Sequence, residues 1–94
     1  MTILFEVTIQ VRNLVTKLLF PQEPCLGSIC RVVEQVFADN DKIAEGMVAL
    51  ILSVGDGDGG KSTVLEVGDE ITFSDDVGQI GFLDVQTRTL FDVS

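Results

Sequence analysis

Val48-Ala49-Leu50-Ile51-Leu52-Ser53-Val54-Gly55-Asp56-Gly57-Asp58-Gly59-Gly60-Lys61-Ser62-Thr63 is the stretch on which the fold turns. Its first part belongs to the most continuously apolar segment of the chain, and Met47–Val54 reads as a buried inner strand. Its second part, Gly55 to Gly60-Lys61-Ser62, satisfies the letter of a phosphate-cradling motif. That cradle needs a helix starting directly after the Lys-Ser pair, so that backbone N–H groups converge on the phosphate. Here Ser62-Thr63-Val64-Leu65-Glu66-Val67 is β-branched and alternating, which favours a strand over a helix. Asp56 and Asp58 would also place carboxylates where phosphate charge must sit. A calcium loop opened at Asp56 fails as well: its fifth, sixth and twelfth positions are Gly60, Lys61 and Val67, not Asp or Asn, Gly and Glu. Gly55–Thr63 therefore reads as a solvated hairpin loop, and no cofactor or metal is assigned.

Upstream, Ile3, Phe5, Val7, Ile9 and Val11 alternate with Leu4, Glu6, Thr8, Gln10 and Arg12, a strand with one buried face. Asn13 tolerates a turn, and Leu14–Phe20 resumes as a second strand, so residues 2–20 read as a hairpin. Pro21 and Pro24 end it, because proline cannot donate to a continuing ladder. Leu26, Ile29, Cys30, Val33 and Phe37 then form an apolar stripe at helical spacing, with Arg31, Glu34, Gln35 and Asp39 opposite. Asn40 reads as the stop of that helix. A short connector, Asp39–Gly46, leads into the apolar run. Downstream, Thr63–Val67 and Glu70–Phe73 read as strands about a Gly68-Asp69 turn. Ser74–Gly78 is a further turn and Ile80–Val85 a strand, with Thr89–Val93 continuing it or folding back.

The order is hairpin, helix, then strands, which makes an α+β chain. The expectation is a ubiquitin-like β-grasp roll, a mixed sheet with one main helix, as a single domain over 1–94. A closed small barrel with an inserted helix is the alternative.

Charge bounds the function. Fifteen acidic against six basic residues give −9, and from Glu45 onward ten acids face only Lys61 and Arg88. Such a balance argues against nucleic acid and anionic membranes, whose attraction is for basic surfaces. It favours a basic protein partner or a basic patch on a second copy. There is no histidine, which removes Ser-His relays and most zinc sites. Cys25 and Cys30 are too few for a disulfide framework and read as small, largely buried thiols on different helix faces. No apolar run reaches the roughly 18 residues that span a bilayer. The opening Met1-Thr2-Ile3-Leu4-Phe5-Glu6 has no basic leader, so a cytoplasmic protein is expected.

Asp75-Asp76, with Glu66, Asp69 and Glu70 close in sequence, forms an acidic cluster at turns. Paired carboxylates serve glycoside hydrolysis only across a fixed cleft, and the chain has neither Trp nor Tyr to stack a sugar. Solvated turn residues, or an acidic contact patch, are the readings left. Arg12 and Lys17, on either side of the first hairpin turn, are the natural complement of such a patch.

Leu18-Leu19-Phe20-Pro21, the helix after it, the apolar strand that follows, then Gly57-Asp58-Gly59-Gly60, Val64-Leu65-Glu66-Val67-Gly68-Asp69, Asp75-Asp76 and Ile80-Gly81-Phe82-Leu83-Asp84 form a pattern over residues 3–85. It resembles the N-terminal oligomerisation domain of the partitioning-defective three cell-polarity scaffolds, a ubiquitin-like, DIX-like module. The resemblance implies a non-enzymatic domain that self-associates front to back and scaffolds a polarity-type assembly. It places Lys17 and Leu19 on a basic, apolar face and Asp75 or Asp76 on an acidic one. Charge alone adds Arg12 to the first face and Asp69 to the second. Such a heterologous contact leaves open ends and can propagate. The chain departs from the family in the added Lys61-Ser62-Thr63 and in having few bases, so a related, more basic domain is an alternative partner. A different class of function, a free-standing acidic inhibitor or viral decoy of a basic nucleic-acid enzyme, follows from the acidic C-terminal half. The end Phe91-Asp92-Val93-Ser94, lacking Gly-Gly, disfavours a covalent modifier.

Overall fold

The computed structural model describes residues 2–55 and 57–91 of the chain. Asp56, one of the acids considered for calcium, lies outside them, as do residues 92–94 and the side chain of Asp58. The expected α+β class holds: among the described residues two α-helices accompany a four-stranded sheet. The sheet, however, is antiparallel at every pairing and not mixed, and one main helix has become two.

The chain divides into two compact units. The first, residues 1–23 and 66–94, holds the sheet: β1 (Thr2–Val11), β2 (Leu14–Phe20), β3 (Glu70–Ser74) and β4 (Gln79–Leu90). Their order is β2-β1-β4-β3, so β2 and β3 are the two edges. Alternation in the sequence becomes two faces. Val7 and Ile9, Leu18 and Phe20, Phe73, and Leu83 and Val85 are buried on one face. The other carries Glu6, Thr8 and Gln10 of β1 beside Leu19, Lys17 and Val15 of β2. β1 meets β4 with Thr8 opposite Asp84 and Val11 opposite Gly81. At Gly81 a β-carbon would overlap the carbonyl oxygen of Gln10, so only glycine lets the two backbones approach there. The stretch Ile80–Val85 and the segment after it form one continuous strand to Leu90.

The second unit, residues 24–65, is helical. Leu26–Val36 is α1, with Leu26, Ile29, Cys30 and Val33 of the apolar stripe buried, while Phe37, the fifth, falls just past the helix end and is half-buried. Its start is held by Ser28, whose hydroxyl oxygen accepts from the Cys25 N–H at 3.1 Å. Asn40 does not end this helix; it caps the next, its Oδ1 accepting from the Ile43 N–H at 3.3 Å. Asp41–Ser53 is α2, so the presumed inner strand Met47–Val54 is helical up to Ser53. Ala44, Met47 and Ile51 are its buried residues, three and four apart on one face, and α2 packs against α1. The glycine-rich segment is consequently no hairpin loop: it follows a helix, and Gly57–Ser62 winds as a 3-10 turn. Thr63–Val67 is not a ladder strand either. Its backbone groups go to the start of α1: Thr63 O accepts from Leu26 N–H at 3.0 Å, and Leu65 N–H donates to Pro24 O at 2.8 Å. No helix among the described residues is long and apolar enough to cross a membrane.

Candidate interaction surface at the sheet edges

Lys17 and Leu19, expected on a basic, apolar face, lie on the edge strand β2. Period-two geometry puts Val15, Lys17 and Leu19 on one side of that strand, and all three are exposed, Val15 at 53% and Leu19 at 43%. One lysine between two apolar side chains makes a small patch that is positive at its centre and apolar on either side. It is also the composition by which natural edge strands resist unwanted pairing.

Asp69, Asp75 and Asp76, expected on the acidic face, flank the other edge strand: Asp69 precedes β3, and Asp75 and Asp76 follow it. Two of these carboxylates hold turns. Asp69 Oδ2 accepts from the Glu66 N–H at 2.8 Å. Asp75 Oδ1 accepts from the Val77 and Gly78 N–H groups at 2.8 and 3.1 Å. Those two bonds hold the Asp75 carboxyl below the usual carboxylate range, with the Arg12 guanidinium adding to the effect. Asp76 is exposed.

Arg12 separates from Lys17. Its side chain turns away from β2 toward Asp75, Nη2 to Oδ2 3.4 Å, in an exposed ion pair. Basic and acidic residues assigned to opposed faces are therefore neighbours at one end of the sheet in the case of Arg12 and Asp75. Lys17 with Leu19 and the Asp69–Asp76 segment stand at opposite edges. Around the Arg12–Asp75 pair lies an open hollow of about 950 Å³ that Gln10, Val77 and Phe82 also line. On the open face a second ion pair joins Arg88 to Glu6 at 3.0 Å.

Sequence reasoning placed Glu70 in the acidic cluster without assigning it to the contact face, and it passed over Asp84. They sit opposite each other on β3 and β4, in the same cross-strand row as Thr8 and Lys17. The signal for Glu70 was present: Glu70-Ile71-Thr72-Phe73 alternates as an edge strand does. In the helical unit, Cys25, Ser28, Arg31, Lys61 and Ser62 line a second hollow. The Cys25 thiol is lowered by its hydrogen bonding with Ser28, whereas burial pushes Cys30 up. Lys61 thus borders the start of α1, a helix that precedes the glycine-rich segment in sequence, and among the described residues no helix follows Ser62 to complete the phosphate cradle. Among the described residues no group of three or more metal-ligating side chains gathers. Comparison with known proteins finds no family model, no curated protein and no solved structure that matches this chain.

Proposed function

We propose that this chain is a non-enzymatic protein-interaction domain that associates with further copies of itself front to back, as a scaffold for larger assemblies. One observation carries the reading: Lys17 and Leu19 lie on one edge strand of a single sheet, while Asp69, Asp75 and Asp76 flank the opposite edge strand. A surface that is basic and apolar at one edge and acidic at the other meets its complement on the next copy, leaving both ends open. The reading does not depend on a ubiquitin-like roll, since the described strands pair antiparallel throughout. Arg12 leaves the basic face in this proposal, because Asp75 of its own chain already engages it.

Light scattering against protein concentration and salt tests the proposal. Wild type grows in mass with concentration and shrinks toward the monomer as salt screens the contact. Lys17→Asp and a charge reversal of the acids at the β3 edge each reduce that growth. A wild type that stays monomeric at millimolar concentration, or a size that neither reversal alters, overturns it. The second reading, an acidic decoy for a basic enzyme, draws on the net charge of −9. It predicts the monomer together with capture of a basic nucleic-acid enzyme, so the same measurement divides the two.

A further inference from the structure

The backbone at the two edges defines how such copies would join. Arg12 N–H bonds Ile80 O at 2.7 Å, which marks that β1–β4 row as a hydrogen-bonded pair. Alternation by two along an antiparallel ladder makes Thr8 and Asp84 a bonded pair as well. Each residue directs its N–H and C=O to one side only, so Lys17, opposite Thr8, directs its own toward the free edge of β2. On the other flank, Val85 N–H bonds Asp69 O at 3.1 Å, so its neighbour Asp84 does not bond β3, and Glu70 directs its groups toward the free edge of β3. Val15 and Thr72 follow by the same period. Both edges therefore present unpaired backbone donors and acceptors at Lys17 and Val15 on one side, and at Glu70 and Thr72 on the other.

Direction and face agree too. β2 runs parallel to β4 through β1, and β3 runs against β4, so β3 is antiparallel to β2. A copy displaced along the row Lys17–Thr8–Asp84–Glu70 thus sets its β2 antiparallel to the first copy's β3, with the open faces on the same side. We infer that copies join by a β3-to-β2 strand junction in which Glu70 lies opposite Lys17 and Thr72 opposite Val15 of the next copy. Those two are the hydrogen-bonded pairs of the junction. On the other face Ile71 meets Thr16, and Phe73 meets Leu14. The register break between Phe73 and Ser74 ends the junction there, which confines it to four residues a side. Glu70, with Asp84 behind it, supplies the charge that Lys17 meets, and Asp75 stays with its own turn and Arg12. Sheet twist rotates each copy relative to the last, so the product is a helical filament.

This inference rests on front-to-back association and assigns its partner surface. Sedimentation velocity on wild type, Glu70→Lys, Lys17→Glu, Asp76→Lys and the double variant Lys17→Glu/Glu70→Lys tests it, with circular dichroism showing that each is folded. The junction predicts at least tenfold weaker association for each reversal at Glu70 and Lys17, recovery in the double variant, and no more than a twofold change for Asp76→Lys. If wild type assembles but Glu70→Lys assembles equally well, the register is wrong while self-association stands. If Asp76→Lys is the reversal that dissolves the assembly, the contact lies at the turn and not at the strand edge. A monomeric wild type removes both.

Discussion

Arg12 holds a left-handed backbone, φ +54°, in the two-residue turn between β1 and β2. Turns of that hand are usually made by glycine, because a β-carbon there costs on the order of 1 kcal/mol. Arg12→Gly is expected to raise the melting temperature slightly, since the exposed pair it gives up with Asp75 is screened by solvent and offsets little. Asp75 behaves differently, because its carboxylate ties down Val77 and Gly78. Its acidity is increased in the folded state, so the stability it contributes is present above the unfolded carboxylate range, near pH 4, and is lost as pH falls through the folded value. Thermal melts of wild type and Asp75→Asn should differ at pH 7 and converge in strong acid; a gap that persists in acid would contradict this. At this scale the acidic residues were legible as turn-formers. What the sequence concealed was that Arg12 spends its charge on Asp75, a contact across 63 positions of chain.

α2 is the element that sequence periodicity misplaced. Leu50-Ile51-Leu52 is apolar at consecutive positions, and a short apolar run fits a buried strand or a buried helix equally. The deciding signals lay upstream in what read as a connector: Asn40 as cap, Asp41 in the first turn, and Ala44 in register with Met47 and Ile51. Gly46 masked them by interrupting the pattern. No atom outside its own helix comes within 4 Å of a β-carbon built there. Gly46→Ala should therefore stabilise the protein by about 0.5–1 kcal/mol, and Asn40→Ala should destabilise it by about 1 kcal/mol, both measured by urea unfolding. A strand at this segment would show neither effect. β1 and β2, by contrast, were legible to within a residue, because their alternation is local and their turn is tight. Thr63–Val67 was not, since whether an extended segment joins a ladder depends on distant partners: Val64 makes only an isolated bridge to Cys25. Gly81→Ala probes the β1–β4 junction. Added volume against a backbone carbonyl has no flexible side chain to yield, and a loss of about 3 kcal/mol or more is expected.

For the molecule as a whole, element order made the α+β class readable and composition the acidic character, and charge pointed to Lys17 and to the acids around β3. Strand order was not readable, because nothing local in the sequence says that β4 inserts between β1 and β3 and so leaves β2 and β3 as the two edges. That order is what turns a list of charged residues into a polar object with two unlike ends. A two-ended contact has a property that a symmetric one lacks: each end can be blocked separately. Proline at Val15 or at Thr72 removes an N–H aimed at the free edge and leaves the internal ladder intact. Each variant alone has one dead edge and cannot join copies of itself. An equimolar mixture of Val15→Pro and Thr72→Pro keeps one live junction, between β3 of the first and β2 of the second. The mass of that mixture, by light scattering at a concentration where the proposal has wild type forming long assemblies, is the most direct test. Front-to-back association through the β3-to-β2 junction predicts a discrete species of twice the 10.2 kDa chain and nothing larger. Continued growth of either variant alone, or a mixture that stays at the monomer mass, would contradict it.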